Sequence, residues 1–220
     1  MGGTRTAKGV LGPEAPAQCL LCPRLVAYRQ ANAAAEPSWF NGAVPSFGTS
    51  DAELLIAGLA PGRNGANRTG RPFTGDYAGD LLYATLLEFG FATGHYLARP
   101  DDGLALSRTI ITNAVRCAPP ENKPTPEEIA TCRPYFEARL AALPRLKIIL
   151  ALGRIAHDQI LATFKLKKSS YVFAHGARHA LPGGRVLYDS FHCSRYNTNT
   201  GRLTGDMFRA VFAAIRQELG

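Results

Sequence analysis

Between Gly58 and Asp76 the chain reads GLAPGRNGANRTGRPFTGD, a loop whose residue types suit a ligand better than a plain connection. Its glycines let the backbone approach a bound molecule closely, and amides at the start of a following helix attract anions. Arg63, Arg68 and Arg71 supply positive charge, Phe73 an exposed-looking flat face, and Asp76 a carboxylate. A second segment, FHCSRYNTNTGR at 191–202, carries His192. An imidazole there can donate a hydrogen bond to an anion developing on a leaving group. Its polar and basic neighbours, with Tyr196, suit phosphates and unstacked bases. His95, His157, His175 and His179 have no comparable context and read as surface or packing residues.

Cysteines make the third constellation. Cys19 and Cys22 form a C-x-x-C pair, Cys117 ends an apolar run, and Cys132 falls inside a helical stretch. Four thiolates can ligate zinc or an iron–sulfur cluster. The wide spacing of the second pair is unlike a zinc ribbon and leans toward iron–sulfur, although spacing alone does not choose the metal. Buried core thiols are the plain alternative for Cys117 and Cys132. Cys193 is left over and is expected to pack beside His192.

These groups need a scaffold that brings them together. Apolar or β-branched runs at Glu53–Ala57, Thr109–Val115, Lys147–Leu152 and Arg185–Ser190 read as strands. Helices are expected over Leu25–Arg29, Ala78–Phe89, Arg154–Phe164 and Met207–Leu219. Another starts after Thr125, with Pro126 at its first position and Glu128 three residues past the cap. Residues 39–47 and 99–107, the latter with Asp101 and Asp102, read as loops. Strands alternating with helices imply a parallel sheet covered on both faces. The glycine loop and His192 would then share the sheet's carboxyl edge, where such folds bind ligands.

The 220 residues suit one domain, expected over 18–220 after a flexible tail at 1–17. With 25 basic and 17 acidic residues the net charge is +8, which favours a polyanionic partner. The tail lacks the apolar core of a signal peptide and no run is long enough to span a membrane, so a cytoplasmic protein with reduced thiols is expected.

Three longer motifs, GLAPG…NRTGRPFTGD at 58–76, VRCAPPENKPTP at 115–126 and HCSRYNTNTGRLT at 192–204, closely resemble the family-five, UdgB-type, uracil-DNA glycosylases. The resemblance runs from Cys19 to about Leu219. It implies a three-layer α/β/α sandwich around a four-stranded parallel sheet. It also implies a [4Fe–4S] cluster on Cys19, Cys22, Cys117 and Cys132. The implied reaction hydrolyses the N-glycosidic bond of a deaminated base in DNA and leaves an abasic site.

By the same resemblance, Phe73 would stack on the extruded base, and the Gly62–Phe73 loop would contact its edge. His192 would stabilise the departing anion, while Asp76 and Asn122 would position water. Leu59 stands where relatives with a polar first motif carry an acid or amide, which closes that route. Asn113 departs from family members with alanine there; its amide suits the N3–H and O4 of uracil, leaving hypoxanthine and xanthine open. Arg195, Tyr196 and Asn197 would enter the duplex, and Arg68 and Arg202 would meet phosphates. The expected partner is DNA containing deaminated bases, bound by a monomer. The competing readings are a non-catalytic iron–sulfur nucleic-acid-binding protein and a nucleotide-binding enzyme. The loop lacks both common phosphate-binding glycine patterns, which weakens the latter.

Overall fold

The computed structural model describes residues 12–220. Residues 1–11 of the expected tail lie outside the described residues. The tail's boundary at residue 17 falls too late, because Glu14 pairs with Arg116 at 3.1 Å and with Arg139, and Ala15 is buried.

In chain order the strands are β1 (Phe47–Gly48), β2 (Leu54–Gly58), β3 (Ala92–Thr93), β4 (Ala105–Leu106), β5 (Thr109–Asn113), β6 (Ile148–Leu152), β7 (Arg178–Ala180) and β8 (Val186–Ser190). The helices are α1 (Pro23–Ala35), α2 (Ala66–Thr69), α3 (Tyr77–Glu88), α4 (Pro126–Ala141), α5 (Arg154–Thr163), α6 (Arg195–Asn199) and α7 (Gly205–Leu219). The main sheet has the order β1-β5-β2-β6-β8-β7. Its four inner strands are mutually parallel, as expected, while β1 and β7 pair antiparallel at the two edges. The sheet therefore has six strands rather than four. The edge strands escape sequence reading because they are two and three residues long and, in β7, alternate exposed and half-buried side chains. β3 and β4 form a separate small hairpin.

All five residues of β2, β5, β6 and β8 are buried, the pattern of a sheet covered on both faces. Alternation along each strand sorts the side chains between two cores. Leu54 and Ile56 join Leu82, Leu86, Phe208 and Phe212 beneath α3 and α7. Leu55 and Ala57 join Phe136, Leu140, Ile160 and Leu161 beneath α4 and α5. A third cluster ties Leu25 of α1 to Val115, Ile129 and Tyr135 at one end of the molecule. α1 runs beyond the expected Leu25–Arg29 because alanines continue it, and it stops before Pro37. Among the described residues no helix is long and apolar enough to cross a membrane.

The chain leaves β2 toward α3 on one face and leaves β6 toward α5 on the other. The two loops diverge at the carboxyl edge and open a crevice there. α4, which follows the β5 loop, starts from a complete capping box: the Thr125 side chain accepts from Glu128 N at 3.2 Å, and Glu128 accepts from Thr125 N at 2.8 Å. Thr125→Ala should cost about 1 kcal/mol. A thermal-melting experiment should then show a midpoint about 2–4 °C lower; no change would mean that the cap does not hold this helix.

Candidate active site

The parallel strands open onto a cleft of about 410 Å³ lined by Gly62, Phe73, Asp76, Asn113, Asn122, His192 and Arg195, among others. Residues 130 positions apart in sequence meet here because all their loops leave the same sheet edge. Gly58 and Asn113, the last residues of β2 and β5, are register partners. A Cβ on Gly58 would lie 2.7 Å from Phe73 Cζ and would overlap the Asn113 amide oxygen, so only glycine fits.

Phe73 is 7% exposed, so the exposed-looking aromatic of the loop is in fact core with one side open to the cleft. Its backbone is left-handed, with φ of 51°. A strained loop persists only when its surroundings over-determine it. Here the determinant is Arg71, buried against the rings of Phe47, Tyr83 and Tyr96 with centroid distances of 5.0, 5.3 and 5.7 Å. Asp102 accepts both guanidinium ends at 2.8 Å, and Arg71 Nε donates to Thr74 at 2.7 Å. Tyr83 and Tyr96 donate to the carbonyls of Pro72 and Phe73 at 2.6 and 3.3 Å. The Arg71 hydrogen bonds hold the Asp102 carboxyl well below the usual carboxylate range despite its burial. Sequence reading left Asp102 in a loop and gave Tyr83 and Tyr96 no role. The only available signal was a basic residue two positions from the aromatic.

Asp76 does two things at once. One carboxylate oxygen caps α3 by accepting from Gly79 N at 3.1 Å. The other faces Gly62 and Gly65: a Cβ on Gly62 would lie 3.4 Å from it and 3.9 Å from the Asn122 amide oxygen, and a Cβ on Gly65 would overlap it. Burial pushes the Asp76 carboxyl up, and Asp80 adds to this, against the opposing Gly79 and Ala78 amides. Asn122 sits in a turn with left-handed φ at both Glu121 (53°) and Asn122 (57°). Arg24 holds this turn by donating to the Lys123 carbonyl at 3.0 Å while it pairs with Glu128 at 2.7 Å.

Asn113 is buried, and its side-chain oxygen has no hydrogen-bond partner among the described residues. Such an orphan costs about 1–3 kcal/mol, and at a cleft wall it marks a place where a ligand completes the bonding. The His192 ring stacks near Phe73, with centroids 5.9 Å apart and planes 30° apart. Desolvation lowers its pKa to about 4, so the imidazole is neutral at neutral pH. Cys193 is fully buried beneath it and donates to the Ala78 carbonyl at 3.4 Å, in keeping with the expected packing role.

Of the remaining candidates, only Arg195 is among the residues lining the cleft. It covers the Tyr77 ring at 5.3 Å, and Tyr196 is 71% exposed. Asn197, expected to contact DNA, donates to the His192 carbonyl at 2.8 Å. Arg68 is exposed and donates to the Gly75 carbonyl, and Arg202 covers Phe191 at 4.7 Å.

Cys19, Cys22, Cys117 and Cys132 line one separate cavity, and none of the four is in a disulfide among the described residues. Arg29 donates to Cys117 Sγ at 3.6 Å, and the Arg116 amide to Cys132 Sγ at 3.3 Å. Burial raises Cys22 and pushes Cys117 and Cys132 up to about 11. A different trio, His157, His179 and Asp189, also gathers its ligand atoms within 4.8 Å. There the Asp189 carboxylate bridges the two imidazoles at 2.7 and 3.1 Å, and His157 also bonds the Tyr171 carbonyl. These atoms already satisfy one another, so the trio anchors the end of β8.

The uracil DNA glycosylase superfamily model matches residues 45–216. A type-5 uracil-DNA glycosylase of Thermus thermophilus is 49% identical over 208 residues, covering 92% of this chain and 94% of that protein. One from Pyrobaculum aerophilum is 37% identical, covering 92% and 89%. A type-4 uracil-DNA glycosylase of Sulfurisphaera tokodaii is 29% identical over 180 residues, covering 77% and 73%.

Asp102→Ala would strand a buried guanidinium, which typically costs about 3–5 kcal/mol. The melting midpoint should fall by roughly 6–20 °C. A midpoint unchanged from the parent would show that the pair is not what fixes the Phe73 loop.

Proposed function

We infer the reaction of this chain from the family to which it belongs, the type-5 uracil-DNA glycosylases of the uracil DNA glycosylase superfamily: it is a DNA-repair enzyme that hydrolyses the N-glycosidic bond of uracil in DNA. A base cannot be attacked within the stack, so the nucleotide must first turn out into a pocket. The observation that carries this reading is the unpartnered Asn113 oxygen beside Phe73 and His192 in one cleft.

The uracil ring lies against Phe73. The 5.9 Å between Phe73 and His192 is less than the roughly 7 Å that a base sandwiched between two rings needs at ordinary contact distances. His192 therefore flanks the base rather than covering it. The Asn113 oxygen accepts from N3–H and its amide group donates to O4, a pattern that uracil completes and that cytosine and adenine, with an acceptor ring nitrogen beside an amino group, do not. Neutral His192 donates to O2 as negative charge develops there. It keeps its proton for this purpose, and its lowered pKa means that no net charge is buried before the reaction. Asp76 and Asn122 hold water beside Gly62, on the side where the sugar carbon is exposed once the base departs. Leu59 lines the same cleft and has no group that accepts a proton. The chain's net charge of +8, with Arg195 lining the cleft and Tyr196 exposed next to it in sequence, suits the DNA backbone and the opened duplex.

Cys19, Cys22, Cys117 and Cys132 hold a [4Fe–4S] cluster that fastens the segment before α1 to the loop after β5. Support comes from their convergence on one cavity, with two N–H groups aimed at sulfur. A tetrahedral zinc would draw the sulfurs to about 3.8 Å of one another. No three of these four cysteines gather within 4.8 Å, so the wider cluster is the better fit. Reading the chain as a non-catalytic iron–sulfur binding protein leaves the convergence at the cleft without a purpose.

Incubating the enzyme with uracil-containing duplex DNA and then alkali should cut the strand at the uracil; intact strands at high enzyme concentration would overturn the reading. His192→Ala should reduce the rate about 10²–10³-fold. Asn113→Ala should narrow the preference for uracil over cytosine, and an unchanged ratio would remove Asn113 from base recognition. Asp76→Asn should lower the rate about 10²–10⁴-fold. Because burial raises the Asp76 pKa, its ionised form opposes folding at neutral pH, and asparagine keeps the cap without the charge. The variant should therefore melt no lower than the parent. The parent's acid limb of activity should lie above pH 3.8, the ordinary carboxylate value, and should vanish in the variant.

A further inference from the structure

We propose that His175 is a positioning residue for His192, fixing the exit of β8 through a single imidazole tautomer. The proposal rests on the role given to His192 above. His175 belongs to the segment between α5 and β7, and its two ring nitrogens face partners of opposite kinds. Nδ1 accepts from the backbone N–H of Phe191 at 3.2 Å, immediately before His192. Nε2 lies 3.2 Å from the Met207 carbonyl, in the first turn of α7, so it must donate. Only the neutral ring with its proton on Nε2 satisfies both. The ring also stacks on Phe191, with centroids 5.1 Å apart and planes 27° apart.

The consequence is mechanical. The segment 191–204 leaves β8, forms the short helix α6 and enters α7, and His175 bridges its two ends. On the other side of His192, Asn197 holds the His192 carbonyl. The residue that donates to the departing base is thus fixed before and after itself, with His175 supplying the earlier anchor. A donor displaced by even 1 Å can lose about 10²-fold in rate. His175 does not line the cleft, so its removal should act on the chemical step rather than on DNA binding.

The test compares the parent with His175→Ala, His175→Asn and His175→Gln, loaded with the cluster, on uracil-containing duplex DNA. An asparagine oxygen can occupy the place of Nδ1 and accept from Phe191, whereas a glutamine amide reaches the place of Nε2. The alanine variant should lose about 10–100-fold in kcat with KM changed by less than about twofold. Asparagine should recover most of the rate and glutamine little, although both should melt alike. A long-range proton–nitrogen spectrum of the parent should show His175 protonated at Nε2. Glutamine equalling asparagine, alanine matching the parent, or a proton on Nδ1 would each overturn the proposal. A parent inactive on uracil would sink the activity itself, and the tautomer would then decide the His175 geometry separately.

Discussion

A guanidinium surrounded by three aromatic rings is tolerable only when an anion cancels its charge, and Asp102 does this for Arg71 with two matched hydrogen bonds. The pair lies outside the cleft, yet it fixes the neighbouring turn in which Phe73 adopts a left-handed backbone. The tyrosines that cover the guanidinium also bond the carbonyls of Pro72 and Phe73. The flat face that Phe73 turns to the cleft therefore follows from a buried ion pair. The same fixed turn delivers Asp76 to the start of α3.

The opposite bank is held by different means. His192 arrives at the end of a fully buried strand whose Asp189 is locked between His157 and His179. Asn122 sits in a left-handed turn tethered by Arg24, which follows Cys22 by two residues. Rigidity matters because catalysis of this kind depends on donors already aimed at charge that has not yet formed. The low pKa of His192 and the raised pKa of Asp76 share one largest cause, the burial of both groups against the protein. That burial keeps the imidazole a neutral donor and makes the carboxylate a stronger base.

Much of this was legible in the residues. Short, strongly apolar runs with β-branched residues, such as KIILAL, read as buried strands, and their alternation with helices set the parallel core. Glycine at 58, 62 and 65 reflects close approach to Phe73, Asn113 and Asp76, and the loop's composition signalled such crowding. The partner of Arg71 was not legible, because a salt bridge across 31 residues leaves no periodicity and Asp102 resembles any loop aspartate. The same holds for His157, His175 and His179, whose roles are set by the atoms opposite each ring nitrogen. Nor does residue type show that Asn197 bonds the carbonyl of the preceding loop. The edge strands were missed because two or three residues carry too little pattern.

A crystal structure of the protein with abasic-site DNA and free uracil tests the central claim most directly. The uracil ring should lie parallel to Phe73, with its N3–O4 edge on the Asn113 amide and O2 within hydrogen-bond reach of His192. Uracil lodged away from the phenyl face, with the Asn113 oxygen still without a partner, would contradict it.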